Sequence, residues 1–97
     1  MPVVISPEEE EEILQELVSM FAPGEAVCTT EMQIEFNSLL VRVELQTEPT
    51  QIAIDRALST IKQVVDRRLP AGAVGTTTWI GVVKAGGKVV DSILQGD

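Results

Sequence analysis

Glu31-Met32-Gln33-Ile34-Glu35-Phe36-Asn37-Ser38-Leu39-Leu40-Val41-Arg42-Val43-Glu44-Leu45 decides the reading of this 97-residue chain. Apolar and polar side chains alternate on both sides of the short polar break Asn37-Ser38. Successive strand residues point to opposite faces, so period two marks a strand with one wet side, and two such runs around a turn mark a hairpin. A two-residue loop at Asn37-Ser38 sets Phe36 opposite Leu39, Ile34 opposite Val41 and Met32 opposite Val43. Every apolar residue then falls on one face, so pattern and register agree.

Upstream, the period changes to that of a helix. Ser6-Pro7-Glu8-Glu9 supplies an N-cap, a proline suited to the first turn and a capping-box glutamate. Ile13, Leu14, Leu17, Val18 and Phe21 then recur at three- and four-residue spacing, and Ala22-Pro23-Gly24 ends the helix. Downstream, Pro49 opens a second helix with the stripe Ile54, Ala57, Leu58, Ile61, Val64 and Val65, stopped by Leu69-Pro70-Ala71-Gly72. Thr76–Val83 and Val89–Leu94 read as two further strands joined across Lys84-Ala85-Gly86-Gly87-Lys88, whose glycines supply the positive φ of a tight turn. Pro2–Ile5 has the composition of a short extra edge strand.

The order helix, hairpin, helix, hairpin carries an internal period. Pro23–Thr30 aligns with Pro70–Thr77 at an offset of 47 positions, with the Pro, Ala-Val and Thr-Thr positions identical. The same offset superposes Leu14, Leu17 and Val18 on Ile61, Val64 and Val65, and Met32 on Trp79. The expectation is one α+β domain over 1–97 with a pseudo-repeat of about 6–47 and 48–95. Its two αββ units form a four-stranded antiparallel sheet with both helices on one face. This order of elements resembles a circularly shifted ferredoxin-like sandwich, a likeness of architecture that carries no function.

The halves differ on the face away from the helices. The first hairpin presents Glu31, Gln33, Glu35, Arg42 and Glu44 there, a solvated surface. In the second, a two-residue Gly86-Gly87 loop sets Ile93 opposite Ile80 and Asp91 opposite Val82, so Ile80, Val82 and Ile93 form an apolar patch. Such a patch on a small protein is ordinarily covered, and a second copy in a homodimer is the cheapest cover. Val3-Val4-Ile5 folding over the patch, or a different hairpin register, are the other accounts.

Composition narrows the chemistry. The chain has no His and no Tyr, which removes the commonest general base and metal ligand. Its single cysteine, Cys28, has no imidazole to activate it and aligns with Gly75, a small packed position. One cysteine makes no internal disulfide, and no stretch has the run of about 20 apolar residues a transmembrane helix needs. The N-terminus lacks the pattern of a secretory signal, so a cytoplasmic setting is expected. With 15 acidic against 7 basic residues the net charge is −8, which argues against nucleic acid and anionic membranes as partners. The run Glu8–Glu12 fans around a helix and does not converge on a metal, and Lys84-Ala85-Gly86-Gly87-Lys88 lacks the following helix of a phosphate loop.

These readings point to a non-enzymatic interaction domain that self-associates through its second hairpin, with no cofactor and no metal. Glu31, Glu35 and Glu44 form a candidate acidic surface for a basic protein, as in an immunity or inhibitor protein. Two other classes stay open. One is a small enzyme or ligand-binding protein with an intersubunit pocket near Thr29, Thr30, Thr76 and Thr77; the other is a structural subunit of a larger assembly.

Overall fold

A computed structural model describes residues 5–69 and 77–95. Helix α1 spans Pro7–Ser19, strand β1 Ala26–Gln33, β2 Ser38–Leu45, helix α2 Gln51–Arg68, β3 Thr78–Ala85 and β4 Lys88–Leu94; a single 3-10 turn, Ile34–Phe36, joins β1 to β2. Both helices start as their sequences dictate. Ser6 Oγ accepts the Glu9 backbone N–H at 3.2 Å, and Thr50 caps α2 by accepting from Ala53. The caps satisfy donors that a helix N-terminus otherwise leaves without partners.

The strands lie in the order β1-β2-β3-β4, with antiparallel β1–β2 and β3–β4 hairpins. The seam between the hairpins corrects the expected antiparallel sheet. β2 and β3 run parallel, with Leu39 beside Trp79, Val41 beside Gly81 and Val43 beside Val83. Adjacent parallel strands need a crossover, and α2 is one. Its 18 residues rise about 27 Å, close to the roughly 26 Å of an eight-residue strand, so the chain returns to the end of the sheet where β2 began. Alternation fixes which side chains share a face and is silent on pairing direction. The parallel seam also departs from the all-antiparallel ferredoxin-like layout.

One face of the sheet meets both helices. Ile13 and Leu17 of α1 and Ala57, Ile61, Val64 and Val65 of α2 join Leu39, Val41, Val43, Leu45, Trp79 and Val83 in one buried cluster. Thr30 donates to Glu10 of α1 at 3.0 Å, and the Trp79 indole N–H donates to Asp66 of α2 at 3.1 Å, so the polar groups that reach this interior are paired. The helices are further tied by Arg67 to Glu16 at 2.7 Å and by Arg68 to Glu12 and Glu16. These pairs join Glu12 and Glu16, in the middle and last turn of α1, to the last turn of α2, where the macrodipole of α2 favours Arg67 and Arg68.

Two hairpin registers differ from expectation. In the first, Gln33 pairs with Ser38 and Met32 with Leu39, because the chain leaves the strand at Ile34 and turns through Ile34–Phe36. Asn37 closes the turn at φ 47, a left-handed conformation that asparagine tolerates better than most residues. Phe36 therefore does not face Leu39; it projects into solvent at 72% exposure, with Ile34 at 71%.

In the second hairpin the Gly86-Gly87 turn forms as expected, both glycines at positive φ, and Ala85 pairs with Lys88 and Lys84 with Val89. A bulge then shifts the register, so that Val83 meets Asp91 and Gly81 meets Ile93. One extra residue moves every later side chain to the other face. Gly81 shows what the shift achieves: a Cβ there would lie 2.7 Å from Ile61 Cγ2 and 3.0 Å from Ile93 Cγ2. The missing side chain lets Ile61 and Ile93 close over the strand, and Ile93 packs against the core.

At the 47-residue offset α1, residues 7–19, falls on 54–66 within α2, and Met32 and Trp79 both lie on the helix-covered face. The parallel seam gives the two hairpins opposite hands, so the offset relates their side-chain patterns and not a rotation of one hairpin onto the other. Of the segments expected at the ends of the repeat, Pro2–Val4 and Pro70–Thr76 lie outside the described residues. Ile5 is buried in the core cluster beneath the helices.

Candidate interaction surface

The register defines the uncovered face as four cross-sheet rows. Gln33, Ser38 and Thr78 form the first, and Glu31, Leu40, Ile80 and Leu94 the second. Thr29, Arg42, Val82 and Ser92 form the third, and Val27, Glu44, Lys84 and Val89 the last. Leu40, Ile80 and Leu94 thus make a continuous apolar row with Val82 beside it. Leu40, Ile80 and Val82 are half-buried by their neighbours, while Leu94 is 53% and Val89 58% exposed. Of the three patch residues read from sequence, Ile80 and Val82 lie on this face. The bulge carries Ile93 to the other side, and Leu94 takes the place beside Ile80.

The acidic residues do not converge. Glu31 lies beside Leu40 and forms an ion pair with Arg42 at 3.7 Å. Glu44 is opposite Val27, and its carboxylate accepts the Gly87 backbone N–H at 3.1 Å. Glu35 stands on the 3-10 turn between the exposed Ile34 and Phe36. A two-residue loop at Asn37-Ser38 would set Glu31 opposite Glu44; the longer turn through Ile34–Phe36 slides the register and separates them.

Cation pairing is uneven over the molecule. Arg42, Arg56, Arg67 and Arg68 all bridge to glutamates, and Arg68 is held protonated even more firmly than an ordinary arginine, first by its hydrogen bond to Glu16. Among the described residues, Lys84 and Lys88, flanking the Gly86-Gly87 turn, make no ion pair. Beside that turn lies a groove of about 510 Å³ walled by Leu45, Pro49, Ala85, Val90 and Lys88. It sits at the carboxyl ends of the parallel strands. Sequence alone did not mark it, because parallel pairing creates it.

Other candidate chemistry finds no constellation. Thr29 and Thr30 occupy the β1–β2 ladder, and Thr77 donates to Asn37 Oδ1 at 3.3 Å; none of them lines the groove, and Thr76 lies outside the described residues. Cys28 sits half-buried opposite Val43, and burial pushes its thiol up to about 11, away from the reactive thiolate. Among the described residues no group of three His, Cys, Asp or Glu side chains is placed to hold a metal, and no helix is long and apolar enough to cross a membrane. No protein-family model, curated protein or solved structure matches the chain.

Proposed function

We propose that this chain is a self-associating protein-interaction domain in which two copies pack their uncovered sheet faces together around Ile80 and Val82. One observation carries the reading: the apolar row Leu40–Ile80–Leu94, with Val82 beside it, runs across three strands on the side without a helix. Sheets that bury such faces stack about 10 Å apart and lose apolar surface worth roughly 25 cal/mol per Å². Three strands of eight residues and one of seven project about 500 Å², and side-chain relief brings that toward the roughly 800 Å² per partner of a stable interface. Most of the face must then take part, including Arg42, Glu31 and Glu44. A two-fold contact lets these charges meet their opposites across it.

The dimer leaves the acidic run Glu8–Glu12 outside the contact, and Glu8 and Glu9 of it stand exposed to a basic protein while Glu10 and Glu12 are held by Thr30 and Arg68, with neither cofactor nor nucleic acid required. A lone cysteine held as a protonated thiol suits a reducing, cytoplasmic setting. Native mass measurement on wild type and Ile80→Asp tests the proposal. A fall to half the wild-type mass at the dilute end of a concentration series, with an unchanged far-UV circular dichroism spectrum, is the expected result; a variant of wild-type mass there overturns it.

A further inference from the structure

Two features at opposite ends of the sheet fit one another. At one end the 3-10 turn holds out Ile34 and Phe36, each more than two-thirds exposed, with the unpaired Glu35 between them. This tip is built stiffly. The Asn37 N–H donates to the Ile34 carbonyl at 3.1 Å, the Asn37 carbonyl accepts from the Thr78 N–H at 3.1 Å, and Asn37 Oδ1 accepts from Thr77. Two large apolar groups on a fixed turn lose little freedom when they bind, which is what an interface anchor requires.

At the other end, about 25 Å away along the strands, lies the groove of about 510 Å³ between the β2–α2 connection and the Gly86-Gly87 turn. Its walls are the apolar Leu45, Pro49, Ala85 and Val90. Its rim carries Lys88, with Lys84 on the same hairpin, and neither makes an ion pair among the described residues. The groove's own acid, Glu44, is already turned to the Gly87 N–H. A groove of this volume falls within the roughly 300–1,000 Å³ of ordinary binding cavities. Beside the polar Gln46 and Thr47 it offers apolar walls and a cation, the counterparts of the two apolar side chains and the anion of the tip.

We infer that the occupant of the groove is a second copy of this chain: Ile34 and Phe36 of one copy seat between Pro49 and Val90 of the next, with Glu35 meeting Lys88. The two surfaces differ, so the contact is head-to-tail. Repetition of such a contact yields an open series or a ring. It uses neither Ile80 nor Val82, and meets the face of the proposed dimer only at its border, where Glu44 lines the groove.

Sedimentation velocity over a concentration series of the full chain tests this. Wild-type mass is expected to climb with concentration beyond a dimer. Phe36→Ala, whose fold is checked by circular dichroism, weakens that growth about 30-fold, the loss of a hot-spot anchor. Glu35→Lys and Lys88→Glu each weaken it about fivefold, and combining both in one chain restores it. In an Ile80→Asp background the face contact is removed and end-to-end growth persists. A wild-type mass that levels off at monomer or dimer, an unaffected Phe36→Ala, a double variant no better than either single one, or loss of growth in natively folded Ile80→Asp each overturns the inference, the last while leaving the face dimer standing.

Discussion

Val82 and Val83 are neighbours in β3 and live in different environments. Val83 points under α2 and is completely buried, whereas Val82 points to the side without a helix and stays partly in water. The same contrast holds along β2 between Val41 and Arg42. The covered side is a filled interior of Leu39, Val41, Val43, Trp79 and Val83; the uncovered side mixes Leu40, Ile80 and Val82 with Arg42, Glu44 and Lys84. The covered side therefore holds the fold together, and the other side is free to carry recognition.

The comparison can be broken most forcefully at Trp79. Its ring is buried and its N–H is paired with Asp66. Trp79→Ala is expected to cost about 3–5 kcal/mol in denaturant unfolding, and a cost under about 1 kcal/mol would show that the interior closes without it. Gly81→Val comes next. Its Cβ has no room against Ile61 and Ile93, so a loss of about 1–3 kcal/mol is expected. Val83→Thr against Val82→Thr is the sharpest comparison. Burying a hydroxyl at 83 costs about 1–3 kcal/mol, while the same change at 82 stays within about 0.5 kcal/mol for the monomer and weakens association. Equal costs would erase the difference between the faces.

The smallest effect is a pH dependence. Burial raises the Cys28 thiol in the fold to about 11, whereas the unfolded chain ionises near its ordinary value of about 8.5. The stability held by the protonated thiol is complete below about pH 8.5 and is lost as pH rises through the folded value. Cys28→Ser is expected to flatten part of the alkaline decline in thermal stability; a decline identical to wild type would assign it to other groups.

Local features were legible in the sequence. Ser6 and Pro7 mark the start of α1, Pro49 that of α2, Gly86-Gly87 the second turn, and alternation from Leu39 to Leu45 the buried side of β2. Long-range features were not. Nothing in a period-two pattern says whether β2 lies parallel or antiparallel to β3, since that is set by where an 18-residue helix delivers the chain. The bulge was equally hidden, although Gly81 inside a strand was a signal of close approach. Asn37, a residue that accepts positive φ, marked a turn and not its length, because it suits a two-residue loop as well as the close of the turn Ile34–Phe36. The candidate surface suffered accordingly: Ile80 and Val82 were readable from alternation, while the exchange of Ile93 for Leu94 depended on one unpaired residue in β4.

The parallel seam also sets an order of events during folding. Each hairpin closes over a short span, but Leu39 must find Trp79 forty positions downstream, a join that carries the entropy of a long loop and slows the search. Zipping of the middle of the sheet therefore waits for α2 to dock, and a nascent chain that ends before β3 exposes the inner edge of β2 as a template for a stranger's strand. For this protein the vulnerable interval of synthesis is the time a ribosome takes to travel from Leu45 to Ala85.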